Sequence, residues 1–445
     1  MFKQSGGLIA NLVENGWKLA LTVVDLTDWG RGMLCALGID FGTSGARAIV
    51  IDAEQQLLAQ VVVTLSQPEQ PQVWRATLFD LLGQIPAVLR QRIGAIAVNG
   101  TSSTVLMCDA QGQPRSAVLM YNDARGAGQV DFLRTIAPPR HTVLSPTSSL
   151  AKLLWLQQQP EFAAAQYFLH QADWLAALLH GQWGVSDYHN ALKLGYDVGA
   201  LRYPDWLTDL DLAPLLPQVM SPGQVIGPVT ASLCETFGLP ASCLVCAGTT
   251  DSIAAFLASG VAVPGEAVTS LGSTLAVKLL SETRVDDSRY GIYSHRLGNL
   301  WLVGGASNTG GAVLKAFFSK KELVELSKQI DPNRLTELDY YPLIKPGDRF
   351  PVNDPTLPPR LVPRPASSVR FLQGMLEGMA RIEAKGYALL QQLGASPLIQ
   401  VKTAGGGAQN LAWTALRQQQ LGVPVSPAPQ IEAAYGVALL AQSAL

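Results

Sequence analysis

An apolar run from Leu34 to Ile39 reaches Asp40, breaks over Gly42-Thr43-Ser44-Gly45, and resumes from Ala46 to Ile51. Apolar stretches of this length, bounded by turn residues, predict two buried strands joined by a tight turn. The same form returns at Ala267–Leu271, Gly272-Ser273-Thr274 and Leu275–Lys278. From Leu34 to about Gly260 the pattern alternates strands with helices. Ile93–Gly100 reads as a buried strand ending in a polar loop, while Leu150–Gln159 and Ala172–His180 carry apolar residues at helical spacing. Gly181–Tyr196, broken by Gly and Asn, predicts a loop-rich insertion above a cleft. A second unit begins near Val261. Within it, Pro342–Pro365 predicts an irregular connection or lid, and Phe371–Leu393 a long amphipathic helix closed by Gly394. Val401–Asn410 predicts a strand, a triple glycine and a helix start, and Glu432–Ala444 a final helix. Residues 1–33 stand outside this pattern, and no role is assigned to them.

A length of 445 residues implies two domains or more, because single cores seldom grow past about 250–300 residues. With 48% hydrophobic and 15% charged residues the chain is well buried and globular. A net charge of -2 gives no electrostatic footprint for nucleic acid or an anionic membrane. Leu19–Val24 is too short to span a bilayer or to serve as a secretory signal, and Asp25 and Asp28 follow it. A soluble cytoplasmic protein is expected. Five cysteines, an odd count, argue against a disulfide framework. Cys243 and Cys246 have redox or zinc spacing, but no second pair lies nearby, and two buried thiols are expected. The five histidines are scattered, which argues against a His-based metal site.

The chemistry concentrates at the polar turns. Gly42 and Gly45 permit backbone conformations that bring N–H groups close to a ligand. Thr43 and Ser44 add hydroxyl donors, and Asp40 is placed to hold a magnesium ion beside a phosphate. The device suits the phosphate tail of ATP without being a P-loop, since no Gly-Lys-Ser/Thr follows. By itself it reads equally well as an ordinary hairpin. Two such turns, one in each half, point to duplicated nucleotide-binding halves facing each other across a cleft. At Ala247–Ser252 a buried strand delivers Asp251 into a Gly/Thr turn. Phosphoryl transfer to a hydroxyl needs phosphate and metal held in line with the acceptor, and a carboxylate to take the hydroxyl proton. Asp251 suits the second task and Asp40 the first. Asp251 also fits a helix N-cap, which would orient the same carboxylate. Gly405-Gly406-Gly407 lets a flat base approach the backbone, with Asn410 able to bond adenine or ribose; the alternative is a tight strand-to-helix turn.

In this order and spacing the pieces resemble the FGGY carbohydrate kinases, within the actin/sugar-kinase/heat-shock ATPase superfamily. The resemblance runs from about Leu34 to the C-terminus. It rests on Asp40-Phe41-Gly42-Thr43-Ser44 as the first phosphate loop, on Tyr121-Asn122-Asp123-Ala124-Arg125, similar to the family's W-N-D-x-R, and on Lys152-Leu153-Leu154-Trp155. Asp173-Trp174-Leu175 with His180-Gly181 follows, and Ser186-Asp187-Tyr188-His189-Asn190-Ala191 is similar to S-D-x-S-N-A. In the second half Gly248–Asp251 stands for G-x-x-D, Leu271-Gly272-Ser273-Thr274 for L-G-T-S/T, and Gly347-Asp348-Arg349 for G-E-R. Gly405–Ala408 with Leu421–Val425 resembles G-G-G-A…L-G-x-P-V, and Glu432–Ala438 resembles E-A-A-x-G-A-A.

The resemblance implies an α/β fold of two RNase-H-like domains flanking a cleft. Residues 34–257 would form an N-terminal domain for sugar and phosphate, and 258–445 a C-terminal domain for nucleotide. It further implies ATP with Mg2+, closure of the domains against water, and transfer of the γ-phosphate to a sugar hydroxyl. Asp251 would be the general base and Asp40 the metal and phosphate anchor. Thr43, Ser44, Gly272, Ser273 and Thr274 would hold phosphates, and Gly310, Gly406 and Asn410 would line the nucleotide site. Three departures bear on the substrate. Thr101-Ser102-Ser103-Thr104 stands where xylulose kinases of the family read Q-M-H-G, the chain is short for the family, and Gly248-Thr249-Thr250-Asp251-Ser252 replaces G-G-G-D-N/Q. Loss of the imidazole points away from plain D-xylulose, and Thr101, Ser102 and Ser103 become the candidate sugar contacts. The compact form resembles the short, xylulose-kinase-like FGGY kinases of cyanobacteria and plants associated with D-ribulose. The expectation is phosphorylation of the small-molecule sugar D-ribulose to D-ribulose 5-phosphate by a monomer or homodimer. The alternatives are a D-xylulose or polyol kinase, a non-catalytic ATP-binding regulator and a general ATPase.

Overall fold

The computed structural model describes residues 34–445 together with Ile9–Ala10 and Leu21–Thr22, two short strands that pair antiparallel. The segment 1–33 otherwise lies outside the described residues. The chain divides into two compact units. One comprises the described residues up to Ala258 with Glu432–Leu445, the other Ser259–Ile431.

Six strands form the sheet of the first unit: β1 Cys35–Phe41, β2 Gly45–Ile51, β3 Leu57–Thr64, β4 Ile93–Gly100, β5 Val225–Pro228 and β6 Leu244–Thr250. Their order is β5-β6-β4-β1-β2-β3. The β1–β2–β3 meander is antiparallel, whereas β1, β4 and β6 run parallel. Side chains alternate across β1 because successive residues of a strand face opposite ways. Leu37, Ile39 and Phe41 enter a core with Trp74, Leu78 and Leu82 of helix Pro71–Gln84 and with Trp174 and Leu175 of helix Gln171–His180. The Trp74 and Trp174 rings meet edge to face at 6.1 Å.

The opposite face is covered by the last helix, Ala433–Gln442. Its Ala434, Val437, Ala438 and Ala441 pack with Ala36, Ile49, Ala95, Ala97, Cys246 and Ala254. The sequence assigned 258–445 to one second domain; in the fold, 432–445 count with the first unit. Small residues on both sides explain it, since helix and sheet approach almost backbone to backbone. A Cβ on Gly436 would lie 1.8 Å from the Ala254 carbonyl oxygen, so no larger residue fits.

The second unit repeats the wiring with β7 Glu266–Leu271, β8 Leu275–Ser281, β9 Tyr293–Leu297, β10 Leu300–Ser307, β11 Gln400–Ala404 and β12 Val425–Pro427, ordered β9-β10-β8-β7-β11-β12. Again a central strand, β7, pairs antiparallel with its successor on one side and parallel with a later strand on the other. Both halves are thus mixed α/β layers of the kind expected. Helix Ser368–Gln392 lies beneath this sheet, burying Phe371, Leu372, Met375, Met379 and Tyr387 in its core. Residues 342–365 contain no helix and no strand beyond isolated bridges, as their prolines predict.

The segment Gly181–Tyr196 departs from its expectation. It is not a loop-rich insertion. Val185–Asp187 forms a strand parallel to Gln218–Met220, and Tyr188–Ala191 a short helix, with Ser186 through Ala191 all buried. The Gly and Asn of this segment are loop signals, but a cap starts the helix: the Asp187 carboxylate accepts from the backbone N–H groups of His189 and Asn190 at 2.8 and 3.0 Å. All five cysteines are buried free thiols, and burial pushes Cys243 up to about 12 and Cys246 to about 11, as inert core thiols require. Among the described residues no helix is long and apolar enough to cross a membrane.

Replacing Gly436 with Val is expected to lower the stability of the first unit by about 3 kcal/mol or more, through overpacking against the Ala254 carbonyl. Urea denaturation followed by circular dichroism checks it, and an unchanged midpoint would contradict the close approach.

Candidate functional site

Three parallel strands place their C-terminal ends side by side. In register, Asp40 of β1 lies opposite Asn99 of β4, which lies opposite Thr249 of β6. In open α/β sheets ligand chemistry gathers beyond such carboxyl ends. Asp40 is half-buried, and its Oδ1 is buried without a hydrogen-bond partner. Burial, and then the negative charge of Asp251, push Asp40 up to about 6, offset in part by the Asn99 amide and the Arg47 guanidinium. Arg47 lies outside the motifs that mark the other candidate residues. Its signal was the hairpin register, since a turn closing on Phe41 and Ala46 puts Asp40 directly across from Arg47. Its guanidinium also forms an ion pair with Glu432, just before the C-terminal helix.

The Asp40 turn itself is compact: Gly42 N–H donates to the Gly45 carbonyl at 3.0 Å, leaving Thr43 and Ser44 exposed at the tip. Asp251 is half-buried and opens helix Asp251–Ala258 directly after β6. Its Oδ1 accepts from the Ser252 N–H at 2.7 Å, so the helix start orients the carboxylate. The strand arrives there irregularly. Pairing of β6 with β4 shifts register between Cys246 and Thr249, and at Gly248 the two backbones come so close that a Cβ would lie 1.8 Å from the Val98 carbonyl oxygen.

Thr101, Ser102 and Ser103 form the loop that leaves β4. Thr101 N–H donates to Gln171 Oε1 at 3.0 Å. Ser103 takes a left-handed conformation, φ 61°, rarely adopted by a side-chain-bearing residue. The buried Lys152 secures it, with Nζ donating to the Ser103 and Met120 carbonyls at 2.7 Å each. Burial draws the Lys152 ammonium down to about 7. Ser103 Oγ is buried with no hydrogen-bond partner, and Ser102 is half-buried.

Within the second unit Gly272, Ser273 and Thr274 form the exposed β7–β8 turn. Gly310 adjoins it, because Gly311 N–H donates to the Gly272 carbonyl at 2.9 Å and Ala312 N–H to that of Ser273 at 3.0 Å. The triple glycine meets the same place, with Gly405 and Gly407 tight against Leu271. Gly406 is exposed in a short 3-10 turn. Asn410 caps helix Leu411–Leu421, accepting from Trp413 N–H at 3.0 Å, and its Nδ2 donates to Ser327 Oγ at 2.9 Å. Its amide therefore shapes the turn. The candidate residues thus fall into two groups, one in each unit.

A divalent cation suits the first group. Mg2+ takes oxygen ligands, commonly one or two carboxylates with waters and phosphate oxygens. The partnerless Oδ1 of Asp40, close enough to feel the charge of Asp251, is such a donor. Among the described residues no cluster of three or more His, Cys, Asp or Glu gathers as a self-sufficient metal cage.

The raised Asp40 value has a signed consequence. The folded state holds this proton longer than the unfolded chain, so stability falls as pH rises from about 4 through about 6, and the cost is complete above that window. Asp40→Asn should therefore melt at a higher temperature than the wild type at pH 8 and at the same temperature near pH 4. A thermal-melt series across that range checks it, and a constant offset would contradict the assignment.

Models of the FGGY family of carbohydrate kinases match the chain, the N-terminal domain over residues 35–258 and the C-terminal domain over 267–445. A xylulose kinase from Streptomyces coelicolor is 28% identical over 415 residues, covering 87% of this chain and 83% of that protein. A ribulokinase from Shouchella clausii is 24% identical over 302 residues, 55% of this chain and 53% of its own length. The crystal structure of xylulose kinase from Rhodospirillum rubrum superimposes with a TM-score of 0.77 at 23% identity, over 92% of this chain and 89% of that one.

Proposed function

Because the chain belongs to the FGGY family of carbohydrate kinases, we propose that it transfers the γ-phosphate of ATP to a pentulose hydroxyl, turning D-ribulose into D-ribulose 5-phosphate. The observation that carries the reading is the pairing of Asp251, oriented at a helix start, with Asp40, whose free oxygen feels its charge. Asp251 accepts the proton of the attacking hydroxyl as the new P–O bond forms and the bond between the γ-phosphorus and the bridging oxygen breaks, releasing ADP. Asp40 anchors Mg2+, which when bound neutralises charge developing on the phosphate oxygens. Thr43 and Ser44 offer hydroxyls to the transferred phosphoryl group, and Arg47 adds positive charge beside Asp40. In the second unit Gly272, Ser273 and Thr274 hold phosphates, while Gly310, Gly406 and the capping Asn410 line the nucleoside end. The first unit is the sugar domain and the second the nucleotide domain of a cytoplasmic enzyme.

The sugar reading rests on the Thr101–Ser103 loop. Ser103 presents a buried hydroxyl without a partner, and Ser102 a half-buried one, where a bulkier imidazole would fill space. Buried polar groups left unpaired select a ligand that satisfies them. D-Xylulose is the second reading, favoured by the Streptomyces relative's name. ADP release across D-ribulose, D-xylulose, L-ribulose, ribitol and glycerol distinguishes the two. ATP binding without turnover on any acceptor would instead favour a non-catalytic regulator, and sugar-independent hydrolysis a general ATPase.

Asp251→Asn is expected to cut kcat by about a thousand-fold or more while nucleotide affinity changes little; near-normal turnover would remove Asp251 as the base. Ser102→His should shift the ratio of kcat/KM between D-ribulose and D-xylulose, leaving KM for ATP within about two-fold. A change in the ATP constant alone would displace the sugar assignment.

A further inference from the structure

We propose that His189 is a positioning residue for the general base, acting through Thr249; the proposal rests on Asp251 being that base. The end of β6 needs such support. Its ladder to β4 is interrupted between Cys246 and Thr249, where the backbones crowd at Gly248, and beyond the break only Thr249 and Thr250 pair, opposite Asn99 and Gly100, before the chain turns into the helix of Asp251.

A further constraint comes from the buried segment Asp187–Asn190. His189 Nδ1 and Thr249 Oγ1 are hydrogen-bonded at 2.7 Å, and Asn190 Nδ2 donates to the Thr249 carbonyl at 3.3 Å. Both the side chain and the backbone of Thr249 are thereby gripped, two residues before Asp251. The grip is itself anchored. The Asp187 carboxylate accepts from the backbone N–H groups of His189 and Asn190 and from Asn190 Nδ2, the last at 2.6 Å. The Tyr188 ring meets the His189 imidazole edge to face at 4.7 Å. His189 and Thr249 are 2% and 0% exposed, so water does not compete for their bond. These two residues also stand where the resembling motifs carry Ser and Gly, and glycine has no side chain with which to make this bond. The His–Thr bond thus adds a side-chain restraint to a strand end that only two paired residues tie to β4 beyond the break. A base held a fraction of an ångström out of line costs catalysis more than binding.

The experiment compares His189→Ala, His189→Asn, Thr249→Val and Thr249→Ser with the wild type, using D-ribulose and ATP. His189→Ala and Thr249→Val should lower kcat by about 10- to 100-fold with KM for ATP within about two-fold. His189→Asn, whose amide reaches the Nδ1 position, and Thr249→Ser, which keeps the hydroxyl, should restore most of the rate. Equal rates in all four variants would overturn the proposal, as would losses that track the melting temperature without rescue by Asn or Ser. Crystal structures of the wild type and Thr249→Val form the second arm, read without turnover. Displacement of residues 249–251 supports the proposal, and superposition within coordinate error overturns it. A wild type inactive on every sugar would refute the parent kinase reading, while the crystallographic arm would still decide the role of His189.

Discussion

The packing of two helices and a sheet at van der Waals distance between backbones is the constraint on which the first unit depends. Helix Ala433–Gln442 contacts β1 and helix Asp251–Ala258 through alanines and a glycine, so there is almost no side-chain cushion to absorb displacement. Interiors packed this closely respond to strain as rigid bodies. The strand bearing Asp40 and the helix opened by Asp251 are thereby referenced to one common element. The ion pair of Arg47 with Glu432 extends that reference to the charge beside Asp40.

Electrostatics works against this arrangement, and that opposition is informative. Asp40 is partly desolvated beside another carboxylate, which disfavours its charged form. A protein selected for stability alone would hydrogen-bond both oxygens of a buried carboxylate. Here one oxygen is left without a partner, a cost that a bound cation would relieve. Ser103 shows the same economy at the neighbouring loop, with a left-handed backbone secured by Lys152 and a hydroxyl left unpaired.

The second unit meets a comparable demand with a buried network. Arg417 and Glu383, both wholly inaccessible, form an ion pair; Glu383 also accepts from Thr269 of β7, and Arg417 donates to Thr403 of β11. Those strands lead into the Gly272 turn and the triple glycine. A buried pair of this kind adds little net stability after desolvation but is costly to break on one side. Its contribution lies in holding two glycine-rich turns, flexible on their own, to strands of fixed spacing.

Much of this could be read along the chain. Apolar runs ending in Gly, Ser and Thr marked both hairpins, and the position of Asp251 after a buried strand marked it as both cap and candidate base, because strand periodicity and capping are local properties. The Asp40–Arg47 register is equally legible in the length of the hairpin turn. What only the tertiary structure decided involves partners far apart in sequence: His189 with Thr249, 60 residues on, Lys152 with the Ser103 carbonyl, and the return of the final helix to the first unit. The Gly and Asn of residues 181–196 looked like a loop because the sequence shows their turn propensity and not the buried carboxylate that caps them. The amino-acid order by itself determined the layers and the turns. Which polar side chains were satisfied, and which were left unpaired, depended on long-range packing, since a hydrogen bond needs a partner whose approach only the folded chain creates.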